Sequence, residues 1–483
     1  MNTITVDLSR TAGAIDPNLF GGFAEHLGRC IYRGIYEPES PLAGPHGLRT
    51  DVLDALRRLN MPVMRYPGGN FVSGYRWRDG VGPRRERKAR QELAWHDIEP
   101  NTFGTNEFVD FCRAIHSEPY LVVNCGDGDM REARDWVEYC NGALDTDLVK
   151  LRRSHGYDAP HRVKYWGVGN EVDGPWQIGH KTPQEYARAY TEFVKVMKWT
   201  DPSIKLLASA NSAWRGDWVE RTQLLVEQAG ERIDYLAIHW YVGNRENDFA
   251  RYMALSELFE ARLSAYEGLV RALCLQKGIP FIPIAVDEWN VWYRVHNEGK
   301  LEEIYNLEDA LVVAMQLNAF IRHASTVKMA NLAQIVNVIA PILTRPTGLV
   351  LQSIFHPFAA YRAACGDIAL DLHWTGETFD GGDHRGVRVL DVAGSLHSAA
   401  RRASIFIVNR SLAPCAVTLR LVEGRFTGPA TARIVNGPDI KSANSFEQPD
   451  RVTTRTAEVD ADGSSFTMTL EPHSVTALLC PLG

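Results

Sequence analysis

Short, nearly uninterrupted apolar runs recur along most of the chain, separated by longer stretches with apolar residues three to four apart. Eight runs read as strands. The first four are "LFGGFAEHL" (19–27), "MPVMRYPGG" (61–69), "PYLVVNCGD" (119–127) and "VKYWGVGNE" (163–171). The others are "IKLLASAN" (204–211), "YLAIHWY" (235–241), "FIPIAVDEW" (281–289) and "VKMANLAQI" (327–335). Continuous apolar strands of this kind suit a parallel sheet buried on both faces. The stretches between them read as helices. "TNEFVDFCRAIH" (105–116) has helical spacing, and Thr182, Pro183 and Glu185 form a capping box with proline at the first helical position. The segments 255–274 and 307–324 are long and amphipathic. Eight strands, each followed by a helix or a long loop, predict an α/β fold of the (β/α)8 TIM barrel type. A doubly wound sheet is the alternative, weakened because no GxGxxG follows the first strand.

After about residue 365 the pattern becomes short alternating strands bounded by Gly, Asp, Asn and Pro. This predicts a C-terminal antiparallel β-sandwich, jelly-roll-like. The isolated "NTITVDLS" near the N-terminus alternates as well and is expected to join that sandwich. The expected organisation is an N-terminal strand in 1–17, a catalytic barrel over 18–365 and the sandwich over 366–483.

Composition narrows the partners. The chain has 483 residues, 45% hydrophobic and 23% charged, with a formal net charge of -7. Mild acidity argues against nucleic acid or an anionic membrane as partner and favours neutral substrates. The eight cysteines are scattered, with no CxxC, and read as reduced thiols. The N-terminus shows no secretory signal, and no run of about eighteen apolar residues occurs, so a cytoplasmic location is expected.

In a barrel the active site lies at the C-terminal ends of the strands. Those ends carry Glu25-His26, Arg65, Asn70, Asn124, Asp127, Asn170-Glu171, Asn211, His239, Tyr241, Asp287-Glu288 and Gln334. Two carboxylates stand out: Glu171 ends the fourth strand and Glu288 the seventh, 117 positions apart (288 − 171). Paired carboxylates in one mouth suit glycoside hydrolysis, one protonating the leaving oxygen and the other attacking the sugar or activating water. Asn170 is placed to bind a sugar hydroxyl, and Tyr241 to hold the nucleophile. Trp176, Trp240, Trp289 and Trp292 offer rings for stacking, and the glycines of "YPGGN" allow close backbone approach. Plainer roles compete. A lone glutamate at a strand end is commonly an ion-pair partner, and His26 and His239 read as structural histidines rather than metal ligands. Asp287 is expected to point away from Glu288 and support it, and Arg65 to pair with a catalytic carboxylate. Trp77 and Trp95 are sugar contacts or packing, and "RRERKARQ" (84–91) reads as a solvated loop.

Several segments together, in order from about residue 20 to 357, resemble glycoside hydrolase family 51 α-L-arabinofuranosidases: "FGGFAEHLGRCIYRGIYEP", "MRYPGGNFVSGYRWRDGVGP", "FGTNEFVDFCR", "YWGVGNEVDGPWQIGH", "IAVDEWNVWY" and "ANLAQIVNVIAPI". The resemblance implies a retaining exo-hydrolase of terminal arabinofuranosyl groups. Glu171 matches the family's general acid/base and Glu288 its nucleophile. Glu25, Asn70, Asn170 and Tyr241 match residues lining the arabinose subsite, and Gln352, in "LQSIFHPF", sits where the family has a glutamine reaching the sugar. Trp176 is expected to wall the leaving-group side. The resemblance also implies no cofactor, an arabinofuranosyl-containing oligo- or polysaccharide as substrate, and a homo-oligomer, often a hexamer. Glu171 must be protonated for the first step, by burial or by the nearby Glu288 charge. Two other readings stand beside this one: a related barrel hydrolase acting on xylosides or glucosides, and a catalytically inactive carbohydrate-binding protein, which the intact glutamates disfavour.

Overall fold

The computed structural model describes residues 2–212, 214, 216–294 and 301–483. The eight expected apolar runs all form strands: Gly21–Phe23, Val63–Tyr66, Glu118–Val123, Tyr165–Val168, Lys205–Asn211, Tyr235–Val242, Ile284–Val291 and Val327–Ala333. They close into a barrel in chain order, each parallel to its neighbours. Both strand faces are buried, which is why the runs lack polar alternation. Leu207 packs with Val63, Tyr120, Tyr165 and Met329 in a small core within the barrel. Its neighbours Leu206 and Ala208 belong to the larger core between strands and helices.

Local signals set the helices. Pro183–Thr200 begins at the expected capping box, with Thr182 Oγ1 accepting from Glu185 N and Glu185 Oε2 accepting from Thr182 N at 2.8 Å. Thr105–Ala114, Leu255–Lys277 and Leu307–Arg322 fill the other expected segments. Leu307–Arg322 is buried on every side from Leu307 to Ile321 because it lies between barrel and sandwich. Its polar residues fasten the two. Trp240 Nε1 donates to Gln316 Oε1 at 2.8 Å, and Asn318 Nδ2 donates to Asp391 Oδ1 at 2.6 Å.

The sandwich has two sheets. The smaller orders His373–Thr375, Asn2–Val6, Cys415–Leu421 and Ser465–Leu470. The larger orders Thr11–Ala14, Ile368–Leu370, Leu390–His397, Arg402–Asn409, Ser474–Pro481, Ala430–Asn436 and Thr453–Val459. Ile4, Val6, Val417 and Leu419 meet Ile405 and Leu478 in its apolar core. The N-terminal segment thus supplies a strand to each sheet. Asn2–Val6 runs parallel to Cys415–Leu421, so the sandwich is not wholly antiparallel as expected. A strand arriving from the far end of the chain has no hairpin to fix its direction.

The eight cysteines are free thiols, seven of them buried. Among the described residues no helix is long and apolar enough to cross a membrane. The segment 84–91 is mostly exposed, as expected, although the Arg87 side chain is buried and donates to Glu107 Oε1 at 2.8 Å.

Candidate active site

The strand ends build a cavity of about 400 Å³ at the barrel mouth, lined by Glu25, Asn70, Asn170, Glu171, Tyr241 and Glu288 among others. Of the site residues that the family resemblance implied, all but Gln352 line it.

Glu171 reaches this mouth through a sharp turn. Gly169 and Glu171 both have left-handed backbones, at φ 77° and 42°. That conformation costs a non-glycine residue roughly 1–2 kcal/mol, a strain that concentrates at working sites. The turn aims Asn170 and Glu171 together into the cavity. Trp176 Nε1 donates to Glu171 Oε2 at 2.8 Å, and His239 Nδ1 lies 3.0 Å from Oε1.

Glu288 is delivered by an irregularity in the seventh strand. Its pairing steps from Val286 to Trp289 while the eighth strand steps only from Ala330 to Leu332. The sixth strand likewise steps from Ala237 to His239 while the seventh moves from Ala285 to Glu288. One extra residue in the seventh strand is a β-bulge, and it re-aims side chains. Asp287 therefore does not point away from Glu288 as strict alternation predicted. Both carboxylates face inward and share Arg65, whose Nη1 is 2.6 Å from Glu288 Oε1 and whose Nε is 3.3 Å from Asp287 Oδ2. The expected supporting role of Asp287 stands: it pairs with His239 Nε2 at 2.9 Å and accepts from Tyr120 at 2.9 Å.

The remaining oxygen of Glu288 accepts from the Tyr241 hydroxyl at 2.7 Å. Arg65 Nη2 donates to Asn170 Oδ1 at 2.6 Å, so the amide nitrogen of Asn170 is buried without a protein partner. A buried donor of this kind is ready for a ligand hydroxyl. Gly69 lies among these groups. A Cβ there would stand 3.2 Å from Glu288 Oε1 and 3.4 Å from Asn170 Nδ2. The glycine is thus required by the carboxylate as much as by any ligand.

Glu25 accepts from Trp95 Nε1 at 3.0 Å, Phe71 N at 3.2 Å and Gln334 Nε2 at 2.7 Å. Burial, and then the Glu288 charge, push its pKa up to about 7. Burial favours neutral His239, but Glu288 and Asp287 outweigh it and hold the imidazole well above its usual pKa. Burial also opposes ionised Asp287, yet His239 and Arg65 keep its carboxyl below the usual range. Oxygens of Glu171 and Glu288 and a nitrogen of His239 lie within 4.8 Å of one another. That is close enough for a cation, but a ring protonated on both nitrogens has no lone pair to offer one.

Two expectations need correction. Gln352 is fully buried away from the cavity. Its amide donates to Glu303 O at 2.9 Å and Ala340 O at 2.8 Å, and its oxygen accepts from Tyr305 N at 2.9 Å, leaving nothing for a sugar. The glutamine in the cavity is Gln334, at the end of the eighth strand, which the strand-end rule singles out. Trp240 and Trp289 do not line the cavity. They alternate outward and pack on Phe320, whereas Trp176 and Trp292 stand at the cavity, 50% and 38% exposed. Trp95 lines the cavity, whereas Trp77 is buried packing. Sequence reasoning missed the apolar wall of Leu27, Leu301 and Ile339, because isolated apolar residues in loops carry no chemical signal.

Models of the α-L-arabinofuranosidase 1 domain and the α-L-arabinofuranosidase C-terminal domain match residues 55–257 and 287–474, and each contains one of the two glutamates. The intracellular exo-α-(1→5)-L-arabinofuranosidase of Halalkalibacterium halodurans is 43% identical over 427 residues, 84% of each chain. The crystal structure of an arabinose complex of the Thermotoga maritima α-L-arabinofuranosidase has a TM-score of 0.93 at 36% identity, covering 99% of both chains. The GH51 α-L-arabinofuranosidase of Thermotoga petrophila has a TM-score of 0.92 at 36% identity, over 99% of this chain and all of that one. Matched in sequence and fold over nearly its whole length, the chain belongs to glycoside hydrolase family 51, the α-L-arabinofuranosidases.

Proposed function

We propose that the protein releases terminal non-reducing α-L-arabinofuranosyl residues from oligo- or polysaccharides by a double displacement that retains anomeric configuration. Glu288 attacks the anomeric carbon as a carboxylate while Glu171 gives its proton to the departing oxygen. A covalent arabinosyl-enzyme forms. Glu171 then takes a proton from water, whose oxygen displaces Glu288 from the anomeric carbon.

The observation that carries this reading is the spacing of the two carboxylates, whose nearest oxygens lie within 4.8 Å in one cavity. Retaining enzymes hold their carboxyls about 5–5.5 Å apart, whereas inverting enzymes leave about 6.5–9.5 Å for a water. Glu25, Asn70, Asn170, Tyr241 and Gln334 bind the sugar, and Trp176 walls the leaving-group side. The intracellular relative supports a cytoplasmic location. The resemblance to oligomeric family members supports a homo-oligomer, which light scattering tests.

Proton NMR of an aryl α-L-arabinofuranoside digest tests the mechanism. The first-formed arabinose should carry the substrate's anomeric configuration, and the opposite anomer would overturn it. Glu171→Ala should lose turnover of poor leaving groups, recover with azide on activated substrates, and give the azide adduct of retained configuration. Aryl xylosides and glucosides should turn over far more slowly.

A further inference from the structure

His239 sits between the two carboxylates, and the double displacement as written does not use it. It is 3% exposed. Nδ1 lies 3.0 Å from Glu171 Oε1 and 3.6 Å from Glu288 Oε2, and Nε2 lies 2.9 Å from Asp287 Oδ1. The charged and titratable groups facing this ring come from five places. Glu171 after the fourth strand and Asp287 and Glu288 on the seventh meet the ring directly, and Arg65 on the second, Tyr120 on the third and Tyr241 on its own strand hold those two seventh-strand carboxylates. With a carboxylate at each nitrogen, the ring is a donor on both sides.

We propose that His239, kept as an imidazolium by Asp287, is a positioning residue that donates its Nδ1–H to Glu171, lies within ion-pair range of Glu288, and serves whichever of the two carries the negative charge. The proposal rests on the acid/base and nucleophile roles given above.

The reason is the path of the charge. Before reaction Glu288 and Asp287 are anions, Arg65 and His239 are cations, and Glu171 holds its proton. In the first step the bond from Glu288 to the anomeric carbon forms as the bond to the leaving oxygen breaks, and the Glu171 proton goes to that oxygen. Glu288 becomes a neutral ester and Glu171 an anion. The total charge is unchanged, but it has moved between oxygens at most 4.8 Å apart. Water attack in the second step returns a proton to Glu171 and frees Glu288 as the anion. A cation placed between the two positions stabilises both states and gains or loses no proton itself. A fixed charge in a site screened from water needs no reorganisation as the reaction proceeds. The bulge that turns Asp287 inward beside Glu288 supplies the counter-charge, and the Tyr120 hydroxyl and Arg65 hold Asp287 in turn.

The test combines His239→Gln and Asp287→Asn with NMR of the 15N-histidine-labelled wild-type enzyme. In the wild type, the ring absent from the His239→Gln spectrum should show both nitrogens protonated throughout pH 5–8. His239→Gln should lower kcat about 10²–10³-fold, as loss of one preorganised donor does, with KM changed far less. Its bell-shaped pH–rate profile should move as a whole to higher pH, because both carboxylates lose the same nearby cation. Asp287→Asn should keep activity at low pH and lose it as pH rises and the ring deprotonates. A wild-type ring that titrates or is neutral between pH 5 and 8 overturns the proposal, and if His239→Gln does not fold the ring is assigned by its shift in Glu171→Ala. So does a folded His239→Gln with the wild-type profile. Glu171→Ala and Glu288→Ala are run alongside. If they keep wild-type rates, the assignment of acid and nucleophile fails. If they collapse while His239→Gln does not, only the role of His239 fails.

Discussion

Tyr241 donates its hydroxyl to one oxygen of Glu288 at 2.7 Å, while Arg65 holds the other at 2.6 Å. Both oxygens of the proposed nucleophile are thus fixed before substrate arrives. Removing the first contact by Tyr241→Phe leaves the ring and the fold in place. A hydrogen bond to a charged group is worth about 1.5–3 kcal/mol, so kcat should fall roughly 10–10²-fold with KM little changed. Steady-state kinetics on an aryl arabinofuranoside measure this. A mutant with unchanged kcat would remove Tyr241 from the mechanism.

Gly69→Ala tests the close approach of backbone to the carboxylates. The glycine has φ −83° and ψ −97°, not a left-handed backbone, and the space an added methyl would need lies beside the carboxylates. The new methyl would meet Glu288 Oε1 at 3.2 Å. The expected outcome, read by steady-state kinetics, is at least a tenfold loss of kcat/KM, since small misplacements of reacting groups are costly.

The two glutamines should separate cleanly. Gln334→Ala removes a cavity wall and a donor to Glu25, so kcat/KM should fall at least tenfold, an effect of about 1.4 kcal/mol or more, at near-native stability. Gln352→Ala leaves Glu303 O, Ala340 O and Tyr305 N without these partners, so stability should fall by about 3 kcal/mol at unchanged KM. Thermal unfolding read beside kinetics distinguishes them. The reverse pattern would restore Gln352 as the sugar contact.

Glu25 makes stability depend on pH. Its folded pKa of about 7 lies above the ordinary 4.5, so the folded state binds this proton more tightly than the unfolded chain does. Its contribution is fully present below about 4.5 and is lost as pH rises through 7. Glu25→Gln does not titrate. Relative to wild type, the variant should gain stability between pH 5 and 8, on the order of 3 kcal/mol at most, while losing activity. Melting temperatures of both proteins across that range read the difference, and a constant gap would exclude the shifted carboxyl.

The site was legible wherever its chemistry coincided with a strand end. Glu171, Glu288, Asn170 and Tyr241 all close strongly apolar runs, and barrel geometry sends such positions to one mouth. The misassigned tryptophans failed on alternation. Trp240 and Trp289 follow inward residues, so they must face outward, whatever their suitability for sugars. Gln352 failed because burial and backbone partners decide what an amide contacts, and neither is visible in a motif.

The sequence by itself determined the eight strands, their closure and the pairing of two distant glutamates, because apolar runs and strand-end polarity are local properties. The tertiary structure decided the rest. The bulge that brings Asp287 in beside Glu288 is a mismatch between neighbouring strands, and no single strand records it. The N-terminal strand chose a parallel partner across 413 positions, between Asn2 and Cys415. The separation of Glu171 from Glu288, and the imidazole held between them, follow from how three strand ends meet, which depends on the curvature and register of the closed barrel.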